Sequence, residues 1–277
     1  MTHCDDILAL QQKADQIRAD IVRAAYECGR MTHPGPSLSI ADICTALYYK
    51  FMNVDPRDPQ KSDRDRLVLS KGHGTVALYA ILADLGFFPK EELLTLRHVG
   101  SILQGHPDMK KTPGIDMTSG SLGNGLGIAL GMAYQLKYCG KTSKVYCILG
   151  DGEMNEGTVW EAINQAPVMN CDNLIAFVDM NGWQSSGTTA EICPMLNMKE
   201  RFETFGWKAF EINGHDMPSI VNTLDIAVNS TGQPVCIVAN TVKGKGVSYM
   251  ENDNAWHQKV VTRELYEQAM KEFGVQS

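Results

Sequence analysis

The apolar positions of the chain follow two rhythms, one typical of amphipathic helices and one of buried strands. Apolar residues recur every three or four positions from Ile7 to Cys28, which predicts a first helix that ends at Gly29. Short, continuously apolar runs at 144–149 and 173–178 predict buried strands, and the segment 159–168 between them predicts a helix. This strand–helix–strand order is typical of a βαβ unit, in which the two strands run parallel.

The pattern of apolar positions predicts further elements along the rest of the chain. It predicts further strands at 66–70, 209–212 and 235–241, and further helices at 39–51, 75–86, 128–138, near Met198 and at 218–229. Two irregular stretches, 99–127 and 181–194, interrupt the pattern, and long loops in compact domains are usually functional. Because strands alternate with helices, the predicted fold class is α/β, a mainly parallel sheet with helices on both faces. Without repeats or a shift in composition, residues 1–277 are predicted to form one domain.

Composition narrows the class of protein. The 277 residues carry a net charge of −7 with scattered basic residues, which argues against nucleic acid or an anionic membrane as partner. The longest apolar stretch, 76–83, is too short to cross a bilayer. Eight widely spaced cysteines without a CxxC pair argue against a zinc site or a disulfide framework. With no signal-peptide pattern in residues 1–6, we expect a cytoplasmic protein with reduced thiols.

Candidate chemistry begins where the two best-defined strands end. Gly150-Asp151-Gly152 follows the first strand and Asn181 follows the second, so both side chains should lie at the edge where open α/β sheets bind ligands. One carboxylate and one amide oxygen suit Mg²⁺, which takes one or two protein oxygens and its remaining ligands from water and phosphate. This is the layout of a thiamine-diphosphate site. The alternative is that these residues only form the turns that end two strands.

A glycine cluster at 123–127 opens the helix predicted at 128–138. It lacks the preceding strand and the third glycine position of a dinucleotide fingerprint, so we do not interpret it as one. Its exposed backbone N–H groups could hold a polar ligand. A flexible turn with close helix packing explains the same residues equally well.

Four of the seven histidines fall in loop segments, and their placement carries more information than their number. They are His33, His73, His106 and His257. Loops at one edge of a sheet can bring such residues together, and imidazoles titrate near neutral pH and exchange protons with sugar hydroxyls. The remaining histidines, His3, His98 and His215, are interpreted as structural.

Taken together and in order, these segments resemble the amino-terminal domain of transketolases. The segments that carry the resemblance are His33-Pro34-Gly35, Ser70-Lys71-Gly72-His73-Gly74, Gly105-His106-Pro107-Asp108, Gly120-Ser121-Leu122-Gly123-Asn124-Gly125, Gly150-Asp151-Gly152, Asn181, Lys243-Gly244-Lys245-Gly246 and Trp256-His257. They span nearly the whole chain. Because the sequence stops about twenty residues after His257, it looks most like the amino-terminal subunit of a split, two-chain bacterial transketolase.

The resemblance implies a thiamine-diphosphate-binding fold, here its diphosphate-binding domain, and a role for each matching residue. It implies Mg²⁺ or Ca²⁺ held by Asp151, Asn181 and the carbonyl of Trp183. It implies that eight residues contact the cofactor: His73, Gly120, Ser121, Leu122, Gly152, Asn181, Lys243 and His257. Donor-sugar and proton-handling roles would fall to His33, His106 and His257, with His73 near the reaction centre. Cofactor-dependent transfer of a two-carbon ketol unit between sugar phosphates follows as the expected activity.

Three positions need comment within that resemblance. Glu156 matches an acidic residue that the family places at the subunit interface, where a buried carboxylate would have a raised pKa and could share a proton with its symmetry mate. A first-turn glutamate favoured by the helix dipole is the competing explanation. Pro36 replaces a small hydroxylated or aliphatic residue, which puts one cofactor contact in doubt, and Asn124 replaces the usual glutamine.

The resemblance also implies that this chain is incomplete as a catalyst. The carboxylate that activates the aminopyrimidine belongs to a pyrimidine-binding domain, which a carboxy-terminal partner subunit would supply, with an α2β2 assembly expected. Three alternatives stay open. They are a subunit of a 2-oxoacid dehydrogenase or decarboxylase, a 1-deoxyxylulose-phosphate synthase, and a non-catalytic thiamine-diphosphate-binding paralogue.

Overall fold

The computed structural model describes residues 4–275, in which one parallel sheet forms the centre. Its five strands are β1 (Arg66–Leu69), β2 (Val145–Gly150), β3 (Leu174–Met180), β6 (Lys208–Asn213) and β7 (Val235–Asn240). They lie in the order β1-β2-β3-β7-β6, and every neighbouring pair is parallel. Two-residue strands β4 (Trp183–Gln184) and β5 (Gly187–Thr188) form a separate small hairpin.

Ten helices surround the sheet in the described part of the chain. They are α1 (Ile7–Glu27), α2 (Pro34–Leu38), α3 (Ala41–Ala46), α4 (Thr75–Asp84), α5 (Asn124–Tyr138), α6 (Gly157–Val168), α7 (Thr189–Ile192), α8 (Met198–Thr204), α9 (Met217–Val228) and α10 (Arg263–Glu272). A π-helical turn, Leu47–Phe51, continues α3. Short 3₁₀ segments occur at Gly72–Gly74, Lys90–Thr95, Gly152–Asn155 and Asn254–His257.

Two apolar cores lie on opposite faces of the sheet. One joins α1, α3, α4, α9 and α10 to the sheet, and the other joins α5, α6 and α8 to it. All six residues of β2 are buried, as expected for a central strand covered on both faces. The predicted fold class, a mainly parallel sheet with helices on both faces, is confirmed.

The predicted elements differ from the structure mainly at their ends. The helix predicted at 39–51 begins earlier, at Pro34, and is broken after Leu38, because proline fits the first turn of a helix as well as it fits a loop. The helix predicted at 128–138 begins at Asn124, so the glycine cluster belongs to its first turns. The final helix, α10, was not predicted.

Within residues 4–275, none of the helices combines the length and the apolar character that a bilayer-spanning segment needs. All eight cysteines are free.

Candidate functional site

Asp151 and Asn181 lie at the same edge of the sheet, as predicted. Asp151 follows the last residue of β2 and Asn181 follows the last residue of β3, and these strands are parallel neighbours. Both side chains are buried. Because the carboxyl ends of parallel strands meet at one edge, sequence positions thirty apart come together there.

The Asp151 carboxylate is buried but retains an unused acceptor position. Its Oδ2 accepts from the Gly182 N–H at 2.7 Å and from the Thr189 hydroxyl at 3.0 Å. Its Oδ1 accepts only from the Gly152 N–H, at 2.8 Å, among the described residues. Burial, and then the charge of Asp179, raise the pKa of Asp151 to about 6. A cation at the free position would favour the ionised form.

A buried ion pair orients the Asn181 amide. The Asp179 carboxylate accepts from Asn181 Nδ2 at 2.9 Å, from the Ser39 hydroxyl at 2.8 Å and from Lys71 Nζ. Asp179 is fully buried and Lys71 is 1% exposed. Because Nδ2 is held by Asp179, the amide oxygen of Asn181 is the atom that faces Trp183, whose N–H it accepts at 3.1 Å.

The four loop histidines converge, as predicted. The His33 ring lies 5.7 Å from His73, 5.8 Å from His106 and 5.6 Å from His257, measured between ring centroids. His73 and His257 stack at 5.1 Å. These residues come from the start of α2, the segment after β1, the long loop and the region before α10, so only the fold brings them together.

Burial keeps this cluster neutral. Burial, followed by His257 and His106, lowers the pKa of His33 to about 3, and burial, followed by Lys243, lowers that of His257 to about 4. The pKa values of His73 and His106 are also lowered, in each case mainly by burial. Four neutral imidazoles near neutral pH can each donate one hydrogen bond and accept another, which suits a polyhydroxylated ligand.

Lys243 extends from the segment after β7 into the same space. Its Nζ lies 2.8 Å from Asn254 Oδ1 and 3.0 Å from His257 Nδ1. Burial, and then the nearby Lys71, lower the pKa of Lys243 to about 8. Lys71 and Lys243 therefore make the interior of the site favourable for an anionic ligand.

The glycine-rich loop before α5 is fastened to the strand ends by a buried carboxylate. Glu153 accepts from the Gly123 N–H at 2.8 Å, from the Gly150 N–H at 3.1 Å and from the Ser70 hydroxyl. Gly120 has a φ of 138°, and a Cβ there would lie 3.1 Å from the His106 ring. Glycine is therefore required where this loop passes the histidine cluster.

The structure also describes the three positions singled out within the resemblance, Glu156, Pro36 and Asn124. Glu156 is exposed and precedes α6 as its N-cap residue, so in the single chain it is not the buried carboxylate that an interface would create. Pro36 is buried and lines the site without a polar side-chain atom, although its carbonyl accepts from Lys71 Nζ at 3.0 Å. Asn124 bonds locally, donating to the Ser121 hydroxyl oxygen at 3.0 Å.

Together these residues enclose a cavity of about 410 Å³, within the range of small-molecule sites. It is lined by most of the residues predicted from sequence: His33, His73, His106, Gly120, Leu122, Asp151, Gly152, Glu156, Asn181, Trp183, Lys243 and His257. Ser121 is the exception, because its exposed side chain pairs with Asn124 and is not part of the lining.

Several residues of the site had no predicted role. Lys71, Glu153, Asn155, Gln184 and Ser185 line the cavity. The Gln184 side-chain nitrogen is buried and has no hydrogen-bond partner among residues 4–275, so a ligand oxygen could satisfy it. Asp179 also had no predicted role, although it holds the side chains of Asn181 and Lys71 in place. The sequence signal for it was a charged residue directly after the apolar run 173–178.

The histidines interpreted as structural lie outside the cavity where the structure describes them. His98 Nε2 lies 3.0 Å from the Cys28 carbonyl oxygen, and His215 contacts Asp42 and the backbone at Val242. His3 lies outside the described residues.

Residues 10–277 match the family described as transketolase, thiamine diphosphate binding domain. The chain is 43% identical over 263 residues to the 6-deoxy-6-sulfo-D-fructose transketolase subunit of Clostridium sp. (strain MSTE9), covering 95% of each chain. It is 40% identical over 263 residues to an apulose-4-phosphate transketolase subunit of Phocaeicola vulgatus, covering 95% of this chain and 93% of that one.

A solved structure gives the same likeness. The transketolase of Campylobacter jejuni superposes with a TM-score of 0.88 at 30% identity, covering 96% of this chain and 43% of that chain. The present chain therefore corresponds to less than half of that transketolase and to nearly the whole of the two subunit relatives.

Proposed function

This chain belongs to the transketolase family, and we propose that it is the diphosphate-binding subunit of a two-chain enzyme that transfers a two-carbon ketol unit from a ketose phosphate to an aldose phosphate. The match to the family and the likeness to two transketolase subunits confirm the family and subunit predictions made from sequence. The observation that carries the proposal is the convergence of four neutral histidines on the strand edge that holds Asp151 and Asn181. Residues 1–277 form one diphosphate-binding domain in this proposal.

The residues of the cavity fit thiamine diphosphate at its diphosphate end. Lys243 supplies a cation, His73 and Gly152 line the same cavity, and the Gln184 nitrogen, which has no partner among residues 4–275, offers a donor. The backbones of Gly120 and Leu122 would meet the aminopyrimidine, and Ser121 orders this loop through Asn124. When bound, the cofactor supplies a nucleophilic carbon that accepts the ketol unit.

The donor set also fits a divalent metal, Mg²⁺ or Ca²⁺. Asp151 would contribute its free Oδ1 position, Asn181 its amide oxygen and Trp183 its backbone carbonyl. No cluster of three or more His, Cys, Asp or Glu suited to a metal occurs between residues 4 and 275, so these oxygens and the diphosphate would have to hold the ion together. Such sharing is typical of Mg²⁺ sites, which use few protein carboxylates.

The histidines would handle protons on the sugar. His33, His106 and His257 would lie against the donor hydroxyls, because all three line the cavity, with the His106 and His257 rings 5.8 Å and 5.6 Å from the His33 ring between centroids. Neutral rings can accept a hydroxyl proton at neutral pH, which a charged imidazolium cannot do. His73, stacked on His257, would fix that ring and contact the cofactor.

A partner subunit would complete the catalyst. It would carry the pyrimidine-binding domain and the carboxylate that activates the aminopyrimidine, in an α2β2 assembly. Exposed apolar side chains on and before α5 support this, because Leu122, Ile128 and Tyr134 are 38%, 40% and 44% exposed. Glu156 lies against Gly123, directly before α5, and would become buried in the assembly. The free cysteines support a reducing, cytoplasmic location.

Two other functions share part of the site. A 2-oxoacid dehydrogenase or decarboxylase subunit would use Asp151 and Asn181 but has no need of four converging histidines. A non-catalytic paralogue would bind the cofactor without ketol transfer, and it would not need to preserve the cluster. The geometry of His33, His106 and His257 therefore favours the transferase.

The cofactor claim is tested by calorimetric titration of thiamine diphosphate and Mg²⁺ into the chain with its partner present. Asp151→Ala should abolish metal-dependent binding while the far-ultraviolet circular dichroism stays unchanged. Asp225→Ala, which removes an exposed carboxylate elsewhere, is the matched control and should bind normally. Equal affinity in wild type and Asp151→Ala would remove the central claim.

A further inference from the structure

A buried chain of side chains leads from the first helix to the segment that carries Lys243. Arg18 on α1 is 3% exposed and donates to the carboxylate of Asp42 on α3, which is fully buried. The same Asp42 oxygen lies 2.7 Å from Nδ1 of His215, in the turn between β6 and α9. Nε2 of His215 then accepts from the Val242 backbone N–H at 2.8 Å.

These contacts fix the proton on the His215 ring. A backbone N–H can only donate, so Nε2 must present its lone pair to Val242 and carry no hydrogen. Nδ1 must then carry the ring proton, and it faces a carboxylate oxygen, which can only accept. Burial alone would raise the pKa of Asp42, but the hydrogen bonds from His215 and Arg18 hold it below its usual value. Asp42 therefore stays ionised and keeps the ring in one tautomer.

The segment that His215 holds is the one that places Lys243. Val242 directly precedes Lys243 and lies two residues after the end of β7. Beyond it, the Gly244 N–H donates to the Gly35 carbonyl at 3.1 Å, next to His33. The Thr241 hydroxyl donates to Asp179 on the other side. Of these contacts, the one at Val242 is made by the ring nitrogen of a histidine.

We propose that His215, locked by Asp42 with its proton on Nδ1, is a positioning residue that holds the segment 241–243 so that Lys243 points into the cavity. The importance of Lys243 rests on the proposed function, whereas the tautomer and the geometry do not. Among the described residues, His215 is not part of the cavity lining, so its effect on the site passes through the backbone at Val242.

The tautomer is tested in the full-length wild-type chain labelled with ¹⁵N-histidine. A two-bond nitrogen–proton correlation spectrum at pH 7 should show His215 with a protonated Nδ1 and an unprotonated Nε2. The His215→Gln variant assigns the signal, because it deletes it. A proton on Nε2, alone or together with one on Nδ1, would overturn the proposal whether or not any variant folds.

The positioning role is tested by comparing two substitutions at the same residue. His215→Gln can place an amide oxygen near the lost Nε2 and so accept from Val242. His215→Asn is too short to reach Val242 and can only replace the contact to Asp42. A purely structural role would make the two variants alike in their effect on Lys243, whereas positioning through Val242 separates them.

The readout is the pH dependence of Lys243 acetylation by acetic anhydride, followed by mass spectrometry, with Lys137 as the internal reference. In wild type the midpoint should be near the lowered pKa of about 8. His215→Gln should keep it, and His215→Asn should move it towards the ordinary lysine value. At pH 8 that is roughly a hundredfold loss of the unprotonated amine. The same midpoint in both variants would overturn the proposal.

These measurements need neither cofactor nor partner. Failure of the chain to bind thiamine diphosphate would therefore overturn the proposed function and leave the positioning role of His215 standing. An unshifted Lys243 in His215→Asn would overturn only the positioning role.

Discussion

Replacing His33 with glutamine should make the chain less sensitive to acid. His33 is 9% exposed, and its pKa is lowered to about 3, first by burial and then by His257 and His106. In the unfolded chain the same imidazole titrates near 6.5. Between these two values the unfolded chain binds more protons than the folded one, so the free energy of unfolding falls as pH falls.

The size of the effect follows from the two pKa values. At pH 8 neither state is protonated at His33, and the residue contributes no pH dependence. At pH 5 the unfolded imidazole is almost fully protonated and the folded one is not, which costs roughly 2 kcal/mol of the free energy of unfolding for this single group. The loss would continue towards the folded pKa near 3, and protonation of His257 would add to it from 6.5 down to about 4.

The assay is equilibrium urea unfolding at pH 8 and pH 5 for each protein. Taking the difference between the two pH values within one protein cancels any packing loss that does not depend on pH. His33→Gln should reduce that difference by roughly 2 kcal/mol relative to wild type. Asn155→Ala, which alters another residue of the same cavity but does not titrate, should match the wild type. Equal pH differences in wild type and His33→Gln would refute burial of a neutral His33.

Two further predictions use the same site. Gly125→Ala should destabilise the chain by about 1–3 kcal/mol, because the added carbon would lie 2.2 Å from the Ser70 hydroxyl oxygen. Gly127→Ala on the same helix meets nothing within 4 Å and should be neutral or stabilising by up to about 1 kcal/mol, so urea unfolding of both variants isolates the close contact. His106→Ala and His257→Ala should keep the fold and lose roughly 10²–10⁴ in the rate of ketol transfer with the partner present. Wild-type rates in both would contradict their assignment to the donor sugar.

The regular elements and the position of the site could be predicted because each depends on local pattern. Buried parallel strands are continuously apolar, so β2 and β3 were visible as runs, and a parallel βαβ unit fixes where both strands end. The meeting of Asp151 and Asn181 follows from that geometry. The convergence of His33, His73 and His106 needed an additional assumption, that loops at one edge share a ligand.

What could not be predicted depends on contacts between distant residues. Lys71 and Asp179 pair across 108 positions, and no spacing rule links them. His215 was interpreted as structural because no functional role could be inferred for it from the sequence, although in the fold it joins Asp42 to the backbone at Val242. Element ends were missed where proline or glycine suits both a loop and a helix, as at Pro34 and in the glycine cluster 123–127 at the start of α5.

The α10 helix was missed for a related reason. It is largely polar, and only Ala269 and Met270 are buried, so its apolar face has too few positions to form a recognisable period. Its N-cap Thr262 accepts from the Leu265 N–H, a signal that is clear in the structure but common in loops.

Reconstitution with the partner subunit tests the central claim most directly. The purified chain should show no turnover of any ketose phosphate, because in the proposed function the carboxylate that activates the aminopyrimidine belongs to the partner subunit. Mixing it with the pyrimidine-binding partner, thiamine diphosphate and Mg²⁺ should produce ketol transfer to an aldose phosphate, together with a larger particle in light scattering whose mass fits two copies of each chain. Appreciable turnover by the chain alone, or a stable complex that binds the cofactor but transfers no ketol unit, would contradict the account.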